Sequence, residues 1–540
     1  MKILLTNSPI SDIFIGVGNR ASSSYIYLGS MLYEQKKLGL NKIPDVDVRI
    51  ADVNMTGFDG FKKEIELFDP DIVGTTVYEF NWPLVGELVN AVKSVKPDVI
   101  FAVGGPTPTL IPRSIIRMVN ADIVFRGEAD FTFREAVKRL SKGENLEDLL
   151  DIDGVVIRKG DEIAGGSDTY PIVPQEDLEN IDIDLNLFAR MQEKLQYRVV
   201  DFAFSRGCPY RRCTFCQVST TKRYGRLSLG KTIEVLKQLT SMPHIEYLIF
   251  GDGTFGGGRK GAMKLIRRMI DEDIGDKIEG FFGELSVDLF LNEGEFGIRD
   301  ADIEFIKLMK SANFFGGELG IEHLSVGGLK KFDKFRYSPG EAMGVVNALA
   351  NNDFEANISL INVGVDTTIE DLAEHLGNLI ELYNEYENNR FVKIDFSEIV
   401  DPFIGTKEYN KILSRMLKDS AYCRATENEL GKTGDLYKLP ENDGYPYIFN
   451  EFIPIDPCIA GTFRDLKLYR KQFPFPAENQ KEMDLFNIFS LIELMKRNTG
   501  NSEMVKKLDS IRPKSEFLIF SNIAREAVEL YWSDKDETRA

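Results

Sequence analysis

The sequence predicts an α/β fold in three parts. A doubly wound amino-terminal domain covers residues 1–140, a partial (β/α)6 barrel covers 199–410 after a linker at 141–198, and a mostly helical region covers 411–540. Three observations carry this reading. Short apolar runs alternate with helical patterns over the first 140 residues, as in a parallel sheet with helical crossovers. From Val199 onward six further strand-and-helix units follow, and after about residue 410 the strand alternation stops. At 540 residues and 43% hydrophobic content, the chain exceeds one ordinary core and has the composition of a globular protein.

The amino-terminal strands are read at Lys2–Thr6, Val46–Val53, Asp71–Val77, Val99–Val103 and Asp122–Phe125. The opening Met-Lys-Ile-Leu-Leu-Thr-Asn is a strand pattern and lacks the longer apolar region of a signal peptide. No apolar run approaches the roughly 20 residues of a membrane span, so the expected location is cytoplasmic. Asp52-Val-Asn54-Met-Thr-Gly57 follows the second run, Thr75-Thr-Val77 closes the third, and Gly104-Gly105 and Arg126-Gly-Glu128 follow the fourth and fifth. Ligands of doubly wound sheets sit beyond the carboxyl ends of the strands, and glycines let a bulky nucleotide tail approach the backbone. Taken alone, D-x-N-x-x-G is equally ordinary turn chemistry. In this order the elements resemble the cobalamin-binding Rossmann-like domains, with their D-x-H-x-x-G loop and S-x-L element. The resemblance implies cobalamin contacts at Asp52, Asn54, Gly57, Thr75, Gly104 and Gly105. Asn54 stands where mutases place a cobalt-ligating histidine, and an amide is a far weaker ligand. The resemblance therefore implies cobalamin without a histidine lower ligand, an arrangement suited to methyl transfer.

Lys142-Gly-Glu-Asn-Leu-Glu-Asp-Leu-Leu, a turn-rich hairpin from Asp153 to Asp161 and Pro171–Pro174 predict a linker with little regular structure that sets the distance between domains.

Ser205-Arg-Gly-Cys208-Pro-Tyr-Arg-Arg-Cys213-Thr-Phe215-Cys216 holds three of the five cysteines within nine residues. Thiolates so close favour a soft metal centre over a disulfide. A structural zinc would need a fourth ligand, and His244, His323 and His375 are all distant in sequence. A [4Fe-4S] cluster with one open iron accounts for three sulfurs, whereas chance clustering of core cysteines has no physical reason. The loop resembles that of the radical SAM superfamily, C-x3-C-x2-C with an aromatic before the last cysteine. Phe215 takes the aromatic position, while four residues rather than three separate Cys208 from Cys213. The resemblance implies that Cys208, Cys213 and Cys216 hold the cluster. It also implies that the open iron binds S-adenosylmethionine and that reductive cleavage gives a 5'-deoxyadenosyl radical.

Barrel strands are read at Val199–Phe204, Ile245–Phe250, Gly280–Val287, Phe315–Ile321, Ala356–Val363 and Phe391–Ile399, with chemistry expected at their carboxyl ends. Phe250-Gly-Asp252-Gly-Thr-Phe255 resembles the family's acidic motif near the methionine moiety, and Gly320-Ile-Glu322-His-Leu-Ser325 its G-x-E-S element. By resemblance Phe215, Asp252 and Glu322 are S-adenosylmethionine contacts. Asn362-Val-Gly364 and Pro402-Phe-Ile-Gly405-Thr406 resemble later elements of the core. A rival fingerprint, Gly251-Asp-Gly253-Thr-Phe-Gly256, formally satisfies G-x-G-x-x-G and would make the chain a nicotinamide oxidoreductase. That reading leaves the three-cysteine loop unexplained.

The carboxyl-terminal region is expected to cover the substrate, with Tyr447, Phe449 and Phe452 as pocket or plain core residues and Cys423 and Cys458 as isolated thiols. A formal charge of −19 excludes a broad nucleic-acid surface, although Arg206, Arg211, Arg212, Lys222 and Arg223 form a local basic stretch beside the cysteines. Together the motifs imply a cobalamin-dependent radical SAM enzyme, a methyltransferase acting on an unactivated carbon. A small-molecule substrate and an electron donor such as flavodoxin or ferredoxin are the expected partners. A cobalamin-dependent cyclase or rearrangement enzyme is the alternative within the class, and a non-catalytic cobalamin-binding sensor or carrier the alternative outside it.

Overall fold

A computed structural model describes residues 1–10, 20–167, 169–221, 223–292, 299–386, 389–433, 436–441, 443–449, 451–472, 475, 480–511 and 513–537. Strands β1 (Lys2–Thr6), β2 (Arg20–Ser22), β3 (Asp47–Ala51), β4 (Ile72–Thr76), β5 (Ile100–Gly104), β6 (Ile123–Phe125), β7 (Val155–Lys159) and β8 (Glu162–Gly165) come first. All but β2 form one sheet, ordered β3-β1-β4-β5-β6-β7-β8. Its first five members are parallel, and β7 and β8 run antiparallel at one edge. Burial on both faces explains the near-continuous apolar runs, such as Ile3, Leu4 and Leu5, all essentially inaccessible. Helix Trp82–Val95 buries Val85, Leu88, Val89 and Val92, one stripe at helical spacing. The chain reverses direction across the sheet between β1 and β4, which opens a crevice at their carboxyl ends.

The segment 141–198 differs from the expected irregular linker. Its hairpin β7–β8 completes the first sheet, with Ile157 opposite Ile123 and Val155, Val156 and Ile157 buried. The sequence predicts the hairpin itself; its pairing with β6 is what local pattern leaves out. Helix Leu185–Leu195 then buries Leu185, Leu187, Phe188 and Met191 and packs on β3.

The barrel strands are β9 (Val199–Phe202), β12 (Tyr247–Phe250), β13 (Gly280–Ser286), β14 (Phe314–Glu322), β15 (Glu355–Val363) and β16 (Val392–Ile399), with the hairpin β10 (Ser205–Gly207) and β11 (Tyr224–Arg226) set between the first two. All six expected barrel strands are present and parallel, in the order β16-β15-β14-β13-β12-β9. A seventh is added by β2, which pairs parallel to β9 with Ala21 opposite Val200. The amino-terminal part of the chain thus contributes directly to the barrel sheet. Tyr27, in the helix that follows β2, strengthens the join by donating from its hydroxyl to the Ala203 carbonyl at 3.0 Å.

Beyond residue 410 the chain is mostly helical, as expected. Helices Ser420–Thr433, Pro457–Gln472, Gln480–Thr499, Ser502–Ser510 and Leu518–Glu537 surround one short hairpin, β17 (Leu436–Lys438) with β18 (Tyr447–Phe449). Phe449 and Phe452 are core, and Tyr409 ties the hairpin down by donating to the Tyr447 carbonyl at 2.9 Å. Among the described residues no helix is long and apolar enough to cross a membrane.

Candidate functional site

Two cavities concern the proposed cofactors: one includes Arg206 of the hairpin β10–β11, the other the cysteine loop that follows β10. The first, about 310 Å3, opens at the carboxyl ends of β1, β4 and β5, where the direction of the sheet reverses. Thr75, Gly104 and Gly105 line it. Thr75 donates to the Thr6 carbonyl at 3.1 Å, holding two strand ends together. Gly105 has φ +106, and an added Cβ would fall 2.5 Å from the Thr76 methyl. Such a backbone-lined crevice at the reversal fits the nucleotide tail of a corrinoid.

The structure does not bring Asp52, Asn54 and Gly57 to that cavity. Asp52 is fully buried, caps helix Val53–Phe68 through the Asn54 amide at 2.9 Å, and accepts from Asn7 at 2.7 Å and from the Tyr197 hydroxyl. Burial raises its carboxyl above the usual range. Asn54 donates to the Ser8 carbonyl at 3.0 Å and accepts from the Ile10 amide at 3.1 Å, so both ends of the amide pin the loop after β1. Gly57 breaks the helix with φ +64.

The second cavity, about 540 Å3, is lined by Cys208, Cys213 and Cys216 together with Phe215 and Glu322. The hairpin frames the loop that carries the cysteines. Gly207 has φ +77 and lies so close to Arg223 that an added Cβ would fall 1.9 Å from the Arg223 carbonyl oxygen. Cys208 Sγ is 3.6 Å from the Thr254 hydroxyl, and the Phe215 ring meets Phe332 edge-on at 5.4 Å. Burial pushes the Cys213 thiol up to about 12, with Lys334 opposing, and raises Cys216 as well. Such thiols ionise readily only with a cationic partner. Among the described residues no three Cys, His, Asp or Glu side chains converge as they would on a single metal ion. Three cysteines around one cavity suit a cubane cluster, whose irons occupy separate corners.

Glu322 ends β14 in the left-handed region, φ +70, and pairs with buried Lys334. Burial alone would lower the Lys334 ammonium, but Glu322 more than reverses this and keeps it charged. Behind that turn two fully buried imidazoles, His323 and His375, lie with ring centres 4.1 Å apart and planes tilted by 31°. The Leu324 amide donates to His375 Nδ1 at 2.9 Å and the Ser325 amide to His323 Nδ1 at 3.1 Å. Burial holds both imidazoles neutral, His323 down to about 4.

Asp252 is the expected contact that the structure turns away. It faces a separate space of about 60 Å3 with Ser205 and Tyr224, while its neighbours Gly253 and Thr254 line the cysteine cavity. Burial pushes its carboxyl up to about 7, and its Oδ1 has no hydrogen-bond partner among the described residues.

Several lining residues escape motif reading. Glu284 and Glu318 lie opposite each other on β13 and β14 and both reach the cavity, as do Lys334, Arg336 and Tyr337. The available signal is a charged residue at an inward position of an otherwise apolar parallel strand. Arg206, on β10, lines the first cavity and makes a two-pronged ion pair with Asp130 at 2.7 and 2.9 Å. Arg223 pairs with Glu128 at 2.7 Å. The basic stretch therefore divides: Arg206 and Arg223 face inward, Arg211 and Arg212 are exposed, and Lys222 lies outside the described residues.

Glu79 follows β4 and accepts from the Ile404 amide at 2.8 Å and from Gln217, next to Cys216, at 3.2 Å. Burial pushes its carboxyl up to about 8.

Residues 37–137 match the model of the B12 binding domain and residues 202–379 that of the radical SAM superfamily. An uncharacterized methyltransferase of Pyrococcus horikoshii is 30% identical over 51% of this chain and 58% of its own length. The 4'-phospho-dehydrooxetanocin synthase of Priestia megaterium is 23% identical over 80% of this chain and 54% of its own. The chain thus spans little more than half the length of these two curated relatives. The cobalamin-dependent S-adenosylmethionine radical enzyme OxsB, solved with aqua-cobalamin bound, superposes with a TM-score of 0.63 at 18% identity, covering 99% of this chain and 80% of that one. That likeness is one of fold.

Proposed function

This chain joins a B12-binding domain to a radical SAM domain, and on that premise we propose that it is a cobalamin-dependent radical SAM enzyme that methylates an unactivated carbon of a small-molecule, natural-product or lipid substrate. One observation carries the reading. Arg206 stands two residues before Cys208, yet it lines the cavity of the B12-binding domain and pairs there with Asp130. The strand that gives Arg206 to the first cavity leads straight into the cysteine loop of the second, a closeness in the chain that favours passing a group between cofactors.

When bound, the cluster supplies the electron that cleaves S-adenosylmethionine, and cobalamin supplies the methyl group. Binding and orientation fall to the protein. Cys208, Cys213 and Cys216 would hold the cluster. Glu322 and Lys334 present opposite charges to the same cavity, complementary to the ammonium and carboxylate of the methionine moiety. Thr75, Gly104 and Gly105 would take the nucleotide tail. Asn54, whose side chain is spent on the Ser8 and Ile10 backbone, would not itself serve as a ligand to cobalamin. The similarity to the P. horikoshii methyltransferase supports methyl transfer.

Cyclisation or rearrangement without methyl transfer is the second reading, supported by the match to a synthase over 80% of this chain. Anaerobically reconstituted protein with cobalamin, S-adenosylmethionine and dithionite separates the readings. Release of 5'-deoxyadenosine together with methylcobalamin and a product heavier by about one methylene supports methylation. Deoxyadenosine without methylcobalamin favours rearrangement. Bound cobalamin without a cluster signal or deoxyadenosine would leave a carrier and refute the enzyme.

A further inference from the structure

The four-residue spacing between Cys208 and Cys213 is accommodated at one position. Arg211 adopts the left-handed conformation, φ +50, and the loop turns there with Arg211 and Arg212 exposed. Arg212 pairs with Asp333 at 2.9 Å and lies over the exposed Phe335 ring at 5.1 Å. Lys407 reaches the same Asp333 at 3.1 Å. Arg336 lies over Tyr210 at 5.1 Å and pairs with Asp288. Tyr210 in turn donates to the Asp333 carbonyl at 2.5 Å. These contacts make one continuous patch, with Arg212, Arg336 and Lys407 set against the carboxylates of Asp333 and Asp288 and the exposed Arg211 next to Arg212 in the chain. Tyr210 and Arg336 also line the cysteine cavity, so the patch is the outer side of that cavity's wall.

We propose that this patch is the docking surface for a small acidic one-electron carrier protein that reduces the cluster. The inference rests on the reading that the three cysteines hold a cluster. In that step the reduced carrier gives up one electron, which enters the cluster, and no atom or proton is exchanged. The whole chain carries a formal charge of −19. An acidic partner is therefore repelled over most of the surface and drawn to this local reversal of sign. An exposed aromatic flanked by arginines is the composition of an interface centre. The electron path from this face is also short, since Tyr210 and Arg212 lie in the cysteine loop itself.

The test measures the rate at which reduced flavodoxin reduces the reconstituted holoprotein, followed by cluster absorbance at low and high salt. Expected is a wild-type rate that falls as salt screens the attraction, and a drop of about tenfold at low salt in Arg211→Glu/Lys407→Glu. Reduction by dithionite, which needs no docking, stays within about twofold of wild type, and Arg211→Gln/Lys407→Gln shows an intermediate effect. An unchanged flavodoxin rate overturns the proposal. So does an equal loss with dithionite, or an oligonucleotide that competes as well as a second acidic carrier does. A reconstituted wild type without a reducible cluster sinks the functional reading along with it, whereas a reducible cluster indifferent to these charges sinks the docking surface alone.

Discussion

Glu79 shows how burial decides a charge. Its carboxyl is pushed from 4.5 up to about 8, first by burial and then by Asp401 nearby. The folded state therefore binds this proton more tightly than the unfolded one, and its contribution to stability, fully present below 4.5, is lost as pH rises through about 8. Glu79→Gln keeps an acceptor for the Ile404 amide but removes the titration. Its stability relative to wild type should climb between about pH 5 and 9 by a few kcal/mol in denaturant melts, and parallel pH dependences would refute this. Gly207→Ala meets both a left-handed backbone and the Arg223 carbonyl, and should cost about 2–3 kcal/mol and lower iron retention on reconstitution. At this scale the cysteine loop is legible from spacing alone, because local chain length limits how thiolates can surround one centre. The Glu322–Lys334 pair is not, since neither residue marks the other until β14 turns sharply at Glu322. Asp252 shows the converse: a motif gives its position, but the hairpin β10–β11 determines which way the side chain faces.

Whole elements were legible where periodicity and burial coincide. The longer barrel strands alternate, as β15 does with Ala356, Ile358 and Leu360 buried, so their positions follow from a period of two. Short strands fail that test. β2 has three residues and is defined by its partner β9, and β7, although read as part of a hairpin, gives no local sign that it extends the first sheet. Helix Val53–Phe68 offers a test of what an interior glycine contributes. A Cβ on Gly57 would meet no atom within 4 Å, so the cost of Gly57→Ala lies in its backbone conformation alone. A loss of about 1–3 kcal/mol is expected in thermal melts. Unchanged stability would show that the kink relaxes freely.

Across the whole molecule, the first cavity is walled by residues of both domains, Leu5 and Gly104 from one and Ala203 and Arg206 from the other. Ligand bound there stabilises the two domains jointly. Cobalamin at about 100 times its dissociation constant should add about 2.7 kcal/mol to a single unfolding transition. Two separate transitions, of which cobalamin moves one, would refute joint stabilisation. The same join limits how such proteins can be recombined. Because β2 lies before most of the B12-binding domain in the chain and yet belongs to the barrel sheet, the domain is not a cassette. A chimera spliced at residue 198 would import a foreign edge strand against β9, so exchange of corrinoid modules must keep Arg20–Ser22 and the helix Ser24–Ser30 from the recipient.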